Sequence, residues 1–404
     1  MNKKLIAIIS VVMIQIVLFQ PAVAANDVTI NAAGSTFAAP ILETWASAYS
    51  NMTNGAVKLS YGGGGSGFGI SSILGRTVDF AGSDAPLNPT QQAQANQNGR
   101  VIMTIPESAG AIVMTYNIPS GLTGTLNLTA DNIAQIFQRN ITKWNDPSIT
   151  TNNPGLTSTQ DIVVVHRSDA SGTSFAFSDY LTRASTKWVL GTTTTPAWPA
   201  NTVGGKGNDG VAGGVKSNDY SIGYVELGYA LKNNIKSATL QNKDGKWVTA
   251  TLDGVNAAAN TAASSLPAGN ADWSQVSINN QAGPYTYPIA TFTYLFLYKD
   301  LTYLGDTSAA MVAFFKFIMT DSAQQMGPDI GYVPLPSNVL TANLNTINSL
   351  QYSGNITDYM PVSGSSTSSS SSNSTAPGFE AVSLAGLFVA VSIVSVMKRK
   401  NNKN

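Results

Sequence analysis

Three turns of small residues, AAGSTFAAP (32–40), GGGGSGFG (62–69) and DASGTSF (169–175), each close a run rich in β-branched or aromatic residues and open a stretch with helical spacing. A strand that turns at once into a helix has few folds open to it, because the helix packs back over the sheet and the next strand enters parallel to the first. The pattern recurs along the chain. VTINAAG (28–34), APILETWASAYSN (39–51), VKLSYGG (57–63), TVDFAGSD (77–84) and VIMTIP (101–106) form one alternation of strands and helices. A second starts at AIVMTYN (111–117) and runs through ADNIAQIFQRN (130–140), DIVVVHRSD (161–169) and SIGYVELGYALKNN (221–234). Strand-like ATFTYLFLYKD (290–300) and amphipathic SAAMVAFFKFIMTDSAQQM (308–326) follow. Alternation on this scale predicts an α/β chain built from βαβ units. No segment repeats at a fixed period, which excludes solenoids and propellers.

The two ends carry a different composition. Residues 1–24 have the charged start, apolar middle and small-residue exit of a secretory signal peptide. Residues 363–378 are a Ser/Thr-rich spacer, 379–397 an apolar segment long enough to anchor in a membrane, and 398–404 a basic tail placed on the cytoplasmic side by the positive-inside rule. The expected location is extracytoplasmic, at the cell surface, with the membrane reached through the C-terminal segment. Without these ends the chain holds 16 basic against 21 acidic side chains, a balance of −5, with no basic cluster. That argues against nucleic acid as a partner. No cysteine and a single histidine leave no thiolate metal site and few zinc arrangements, so no metal and no cofactor are expected. Sequons at Asn51, Asn127, Asn140, Asn355 and Asn373 permit glycosylation where the machinery exists.

The chemistry concentrates at the small-residue turns. A helix N-terminus exposes unpaired N–H groups and the positive end of the macrodipole, and three such junctions converging make an anion site. Arg167, at the end of a buried-looking strand, can offer parallel N–H bonds to an oxyanion while Asp169 holds the guanidinium. Ser171 reads as a helix N-cap, and with Gly172 and Thr173 it supplies hydroxyls and N–H groups at close approach. An ordinary glycine turn with an Arg167–Asp169 surface pair is the plainer alternative, and His166 reads as a packing or surface residue.

GSTFAAPILETWASAY, TVDFAGSDAPL, ITKWNDP, RSDASGTSF, GGKGNDGVAGGV and IGYVELGYA occur in this order over residues 28–340, and together they resemble the phosphate-binding proteins of ABC-type phosphate transport systems. The resemblance implies a two-lobed periplasmic-binding-protein fold of type II with the ligand in the cleft. Lobe one would be residues 25–108 plus 286–350 and lobe two residues 109–285. Carried across motif by motif, the ligand contacts would be Thr36 and Phe37, through the Thr36 hydroxyl and backbone N–H groups, then Ser66, Asp84 as acceptor, Arg167, Ser171, Gly172 and Thr173, with Asp169 in support. The implied function is capture of inorganic phosphate, as a monomer and without catalysis, for delivery to ABC permease subunits. The C-terminal pattern resembles archaeal surface anchors, kept as a helix or processed.

Two other functions stand beside it. A receptor for sulfate, molybdate or tungstate would share the helix-terminus chemistry and differ at the acid. A phosphoryl-transfer enzyme would use Ser171 as nucleophile, but such a serine needs a base or metal and the chain offers one histidine. Asp84 has its own alternative, as a helix N-cap before APLNPT.

Overall fold

The computed structural model describes residues 27–360, so the signal peptide (1–24), spacer (363–378), anchor segment (379–397), basic tail (398–404) and Asn373 lie outside the described residues. The first alternation forms β1 (Val28–Gly34), α1 (Ala39–Met52), β2 (Val57–Gly63), α2 (Ser66–Leu74) and β3 (Phe80–Ser83). β1 lies parallel to both β2 and β3. Then come β4 (Ile102–Asn117), β5 (Val163–Arg167), α3 (Gly172–Ala184), β6 (Val203–Gly205), α4 (Gly207–Ser217), β7 (Ser221–Glu226), α5 (Leu227–Lys232), β8 (Ala290–Tyr298) and α6 (Asp306–Ile318). β5 runs parallel to β6 and β7.

The principal sheet has the order β2-β1-β3-β8-β4-β7-β5-β6, and it is mixed. The parallel pairing expected from the alternation holds within each half, while β8 runs antiparallel to β3 and β4, and β4 antiparallel to β7. The result is a two-lobed α/β fold with β4 common to both halves: residues up to Ala111 pair with β8, and from Ile112 onward they pair with β7.

Here the structure corrects the sequence. VIMTIP and AIVMTYN read as separate strands because turn-forming Pro106 ends the first and Gly110 precedes the second. They are one buried strand of 16 residues. The register jumps from Pro106 opposite Tyr294 to Ser108 opposite Thr293, leaving Glu107 as the extra residue of a bulge. A bulge interrupts the ladder where proline has no N–H to give, so the strand passes through Pro106 without a break.

No disulfide braces the lobes, so their packing and hydrogen bonds must hold them. In the first, Ile41, Leu42, Trp45 and Tyr49 of α1 are buried, and the Phe80 ring meets Phe315 of α6 edge-on at 5.2 Å. In the second, Phe177 stacks on Tyr224 at 4.3 Å and 7°. Large rings stacked or edge-on at these distances bury apolar area and gain a further ~0.5–1.5 kcal/mol per pair.

Candidate functional site

Arg167 ends β5, and its guanidinium is buried beside the start of α3, its side chain only 1% exposed. Its Nε donates to Asp169 Oδ1 at 2.8 Å and its Nη2 to Asp169 Oδ2 at 2.6 Å, a two-point pairing, while Nη1 donates to Thr173 Oγ1 at 3.1 Å. Guanidinium has five N–H groups. Three have protein acceptors among the described residues, so two buried N–H groups remain for something else. Asp169 is itself anchored, accepting the Gly207 N–H at 3.0 Å. Burial works to raise its carboxyl, but the Arg167 bonds and charge with the Gly207 N–H outweigh it and hold the group below the ordinary range. This is no surface ion pair.

α3 begins beside it. Ser171, fully buried, is the N-cap, and its Oγ accepts the Ser174 N–H at 3.1 Å. The N–H groups of Gly172 and Thr173 precede the first intrahelical bond, made by Phe175 to Ser171, and so point out of the helix end. Gly172 lies directly against the other lobe: a Cβ there would collide with Ser66 Oγ and stand 2.6 Å from Asp84 Oδ2.

From the first lobe, Asp84 follows β3 and is 2% exposed. Its Oδ1 accepts the hydroxyls of Ser35 and, at 3.4 Å, of Thr293, and its N–H donates to Ser66 Oγ at 3.1 Å. Asp84 is not a helix cap. The helix of that segment, Pro89–Ala95, is capped by Asn88 in a capping box with Gln91. Burial pushes the Asp84 carboxyl up to about 6, against the opposing pull of Ser35, the Arg167 charge, Thr293 and Thr173.

The turn between β1 and α1 is held by Ser35, whose Oγ accepts the N–H groups of Phe37 at 2.9 Å and Ala38 at 3.2 Å. The Phe37 N–H is therefore already committed within the protein. The Phe37 ring is buried edge-on against Tyr332 at 5.9 Å. Thr36 reaches across to the other lobe, its Oγ1 accepting Asn208 N at 3.2 Å and Asn208 Nδ2 at 3.1 Å. Two further bonds cross at the same level, from Gly67 N to Ala170 O at 2.9 Å and from the Tyr229 hydroxyl to Thr36 O at 2.6 Å. Gly65, which caps α2 at φ +90, has the left-handed conformation glycine adopts freely, and any side chain there would strike Asp169.

Thus Thr36, Ser66, Asp84, Arg167, Ser171, Gly172 and Thr173 converge, with Asp169 behind Arg167, whereas Phe37 contributes as a buried wedge. Sequence reasoning missed four residues. Ser35 sits inside the GSTF turn, and a serine two and three places ahead of free N–H groups was its signal. Asn208, fully buried, follows the glycines of GGKGND; its Oδ1 accepts Glu226 N at 3.1 Å. Thr293 and Glu107 lie below Asp84, joined by the Thr293 hydroxyl at 3.2 Å from Glu107 Oε1. Burial, reinforced by the Asp84 charge, drives the Glu107 carboxyl well above the ordinary range, and its Oε2 has no partner. His166 is half-buried and stacked on Trp198 at 4.9 Å, a packing residue. No group of three metal-ligating side chains occurs among the described residues.

Residues 20–322 match the family model described as a PBP superfamily domain. The phosphate-binding protein PstS of Xylella fastidiosa (strain 9a5c) is 37% identical over 323 residues, 78% of this chain and 84% of that protein. The chain belongs to the phosphate-binding protein PstS family. The PstS of Methanocaldococcus jannaschii is 33% identical over 340 residues, 81% of this chain and 87% of the relative. The fold agrees with solved structures. A high affinity periplasmic phosphate-binding protein, solved with phosphate bound at pH 8.5, gives a TM-score of 0.64 at 21% identity, over 80% of this chain and 99% of that one. A phosphate-binding protein from Stenotrophomonas maltophilia gives 0.63 at 20% identity, over 80% and 99%.

Proposed function

We propose that this protein is an extracytoplasmic receptor that captures inorganic phosphate between its lobes and hands it to the permease subunits of an ABC transporter, acting as a monomer and without catalysis. The observation that carries it is Arg167: two guanidinium N–H groups buried beside the free N–H groups of Gly172 and Thr173, facing one carboxylate, Asp84. The donors take the oxyanion's charge, and the acceptor takes the proton that hydrogen phosphate and dihydrogen phosphate carry and sulfate lacks. Thr36, Phe37, Ser66, Asp84, Arg167, Ser171, Gly172 and Thr173 are the proposed site, with Asp169 positioning Arg167. Lobe one is then residues 25–108 plus 286–350 and lobe two 109–285, closing through the Thr36–Asn208 contact.

The binding role rather than phosphoryl transfer is supported by Ser171, whose hydroxyl is engaged as a helix cap and has no histidine beside it: His166 bonds the Arg167 carbonyl and stacks on Trp198. The apolar segment 379–397 with its basic tail supports a C-terminal anchor. Among the described residues no helix is long and apolar enough to cross a membrane. Titration calorimetry with phosphate, paired with small-angle scattering, tests the receptor. One equivalent should bind with a fall in the radius of gyration. A protein that binds no phosphate, or binds it at undiminished affinity in the Arg167→Ala variant, refutes the assignment.

A further inference from the structure

β8 runs from the cleft to the far end of lobe one. Thr293 touches Asp84, and Tyr298, five residues on, lies roughly 17 Å away at the rise of an extended strand. At that far end is a groove of about 550 Å³ whose lining includes Arg76, Arg100, Lys299, Asp300, Tyr298 and Tyr303. Its cations are arranged unlike the rest of the surface. The Arg76 guanidinium lies 3.9 Å from the centroid of the Tyr303 ring, and Arg76 and Arg100 lie 5.9 and 5.6 Å from the centroid of the one Tyr298 ring. Two like charges gathered at one ring repel, yet none of the ion pairs among the described residues includes Arg76, Arg100 or Lys299. The one lining carboxylate, Asp300, instead accepts the Thr302 N–H at 3.0 Å and its hydroxyl at 2.6 Å. Tyr298 is 2% exposed and its buried hydroxyl has no partner.

A guanidinium set against a ring spends its face and keeps its N–H edge, which is the edge that takes an oxyanion in two parallel bonds; Arg100 donates its Nε–H to the Gln97 carbonyl at 3.0 Å and keeps its two terminal NH2 groups. Arg76 comes from the turn after α2, Arg100 from the approach to β4 and Lys299 from the end of β8, so the cations enter the groove from separate segments. The groove's volume of about 550 Å³ exceeds that of one tetrahedral oxyanion.

We propose that this groove is a second anion site, separate from the cleft, that binds an elongated anion with two or more oxyanion groups, such as an oligophosphate or a polycarboxylate. Arg76 and Arg100 each take one group, and Lys299 supplies a third positive charge at the rim. The local balance of three cations to one carboxylate gives such a ligand an attraction that the balance of −5 over the chain without its two ends does not. The inference does not rest on what fills the cleft.

The test fills the cleft first. Protein saturated with inorganic phosphate is titrated calorimetrically with tripolyphosphate and, separately, with citrate. One further equivalent of either anion should bind, more weakly as salt rises. Arg76→Gln and Arg100→Gln should each weaken it by about tenfold or more, the loss of a charged hydrogen-bonded partner. Lys299→Gln should weaken it less, and phosphate affinity at the cleft should stay at the wild-type value in all three. Melting curves establish that each variant is folded; should an arginine variant unfold, Arg76→Lys and Arg100→Lys keep the charge, lose the parallel pair, and must still weaken binding. Binding of tripolyphosphate alone assigns an oligophosphate ligand, and binding of citrate alone a polycarboxylate. No saturable binding of either, equal binding in folded variants, or equal filling by additional inorganic phosphate overturns the proposal.

Discussion

Asp84→Asn should abolish most of the discrimination between phosphate and sulfate without unfolding the protein. Asp84 Oδ1 accepts the hydroxyls of Ser35 and Thr293 while Oδ2 lies toward Gly172 at the end of α3. Those hydroxyls select the orientation of an asparagine at this position: its carbonyl replaces Oδ1, and its NH2 replaces Oδ2. One acceptor aimed at the anion becomes a donor. Losing a charged hydrogen bond to the phosphate O–H costs about 1.5–3 kcal/mol, and the new donor to an unprotonated sulfate oxygen gains about 0.5–1.5 kcal/mol. The phosphate-to-sulfate affinity ratio should therefore fall by about 2–4.5 kcal/mol, roughly 30- to 2,000-fold. Calorimetry at pH 8, well above the Asp84 value of about 6, measures both affinities with the wild-type carboxylate ionised. Wild-type discrimination should also weaken at pH 5, where Asp84 is protonated and can donate, and the variant should lose that dependence. A folded variant with an unchanged ratio would refute the reasoning, and selectivity would have to come from cleft shape.

Arg167→Ala should cost about 2–5 kcal/mol of phosphate affinity by removing the buried partner of the anion, and a loss no greater than that of Lys58→Ala, an exposed lysine paired at 3.7 Å with Asp27, would count against the site. Gly172→Ala should weaken phosphate binding by about 1–3 kcal/mol through overpacking against Ser66 and Asp84 and leave the liganded protein with a larger radius of gyration; wild-type affinity with wild-type compaction would mean that the lobes do not meet there. Burial raises the Glu226 carboxyl to about 8 from an ordinary 4.5, so between those values the folded state holds the extra proton and stability falls as pH rises. Thermal melts from pH 5 to 9 should show that decline, and Glu226→Gln, which keeps an acceptor for the Gly228 N–H now bonded at 2.7 Å, should melt higher than wild type at pH 9; a variant melting lower at pH 9 would refute it.

What was legible in the sequence follows the range over which each feature acts. Strands and helices appear through their own periodicity, and Arg167 with Asp169 appears because a strand end and the residue two places on are neighbours whatever the fold. β4 was not legible as one strand, since Pro106 and Gly110 signal a turn locally and only pairing with β8, with a bulge at Glu107, carries the chain through. Ser35 meets Asp84 across 49 residues, Asn208 meets Thr36 across 172, and Thr293 meets Asp84 across 209. No local pattern encodes such contacts.

These long-range contacts also set which way the hydroxyls of the cleft point. Thr36 Oγ1 accepts two N–H bonds from Asn208, and a hydroxyl whose lone pairs are taken keeps only its proton to give. Ser35 is arranged in the same way: its Oγ accepts from Phe37 and Ala38, so its proton goes to Asp84. Thr173 Oγ1 accepts from Arg167 Nη1 and, at 3.5 Å, from Asn208 Nδ2, which turns its proton away from both. The proposed site at the end of α3 thus consists of donors, from the Arg167 and helix N–H groups to the Thr36 hydroxyl, with Asp84 as the acceptor. Asn208 is therefore more than a latch between the lobes. By occupying the lone pairs of Thr36 it fixes the hydroxyl as a donor, which leaves Asp84 as the acceptor of the proposed site.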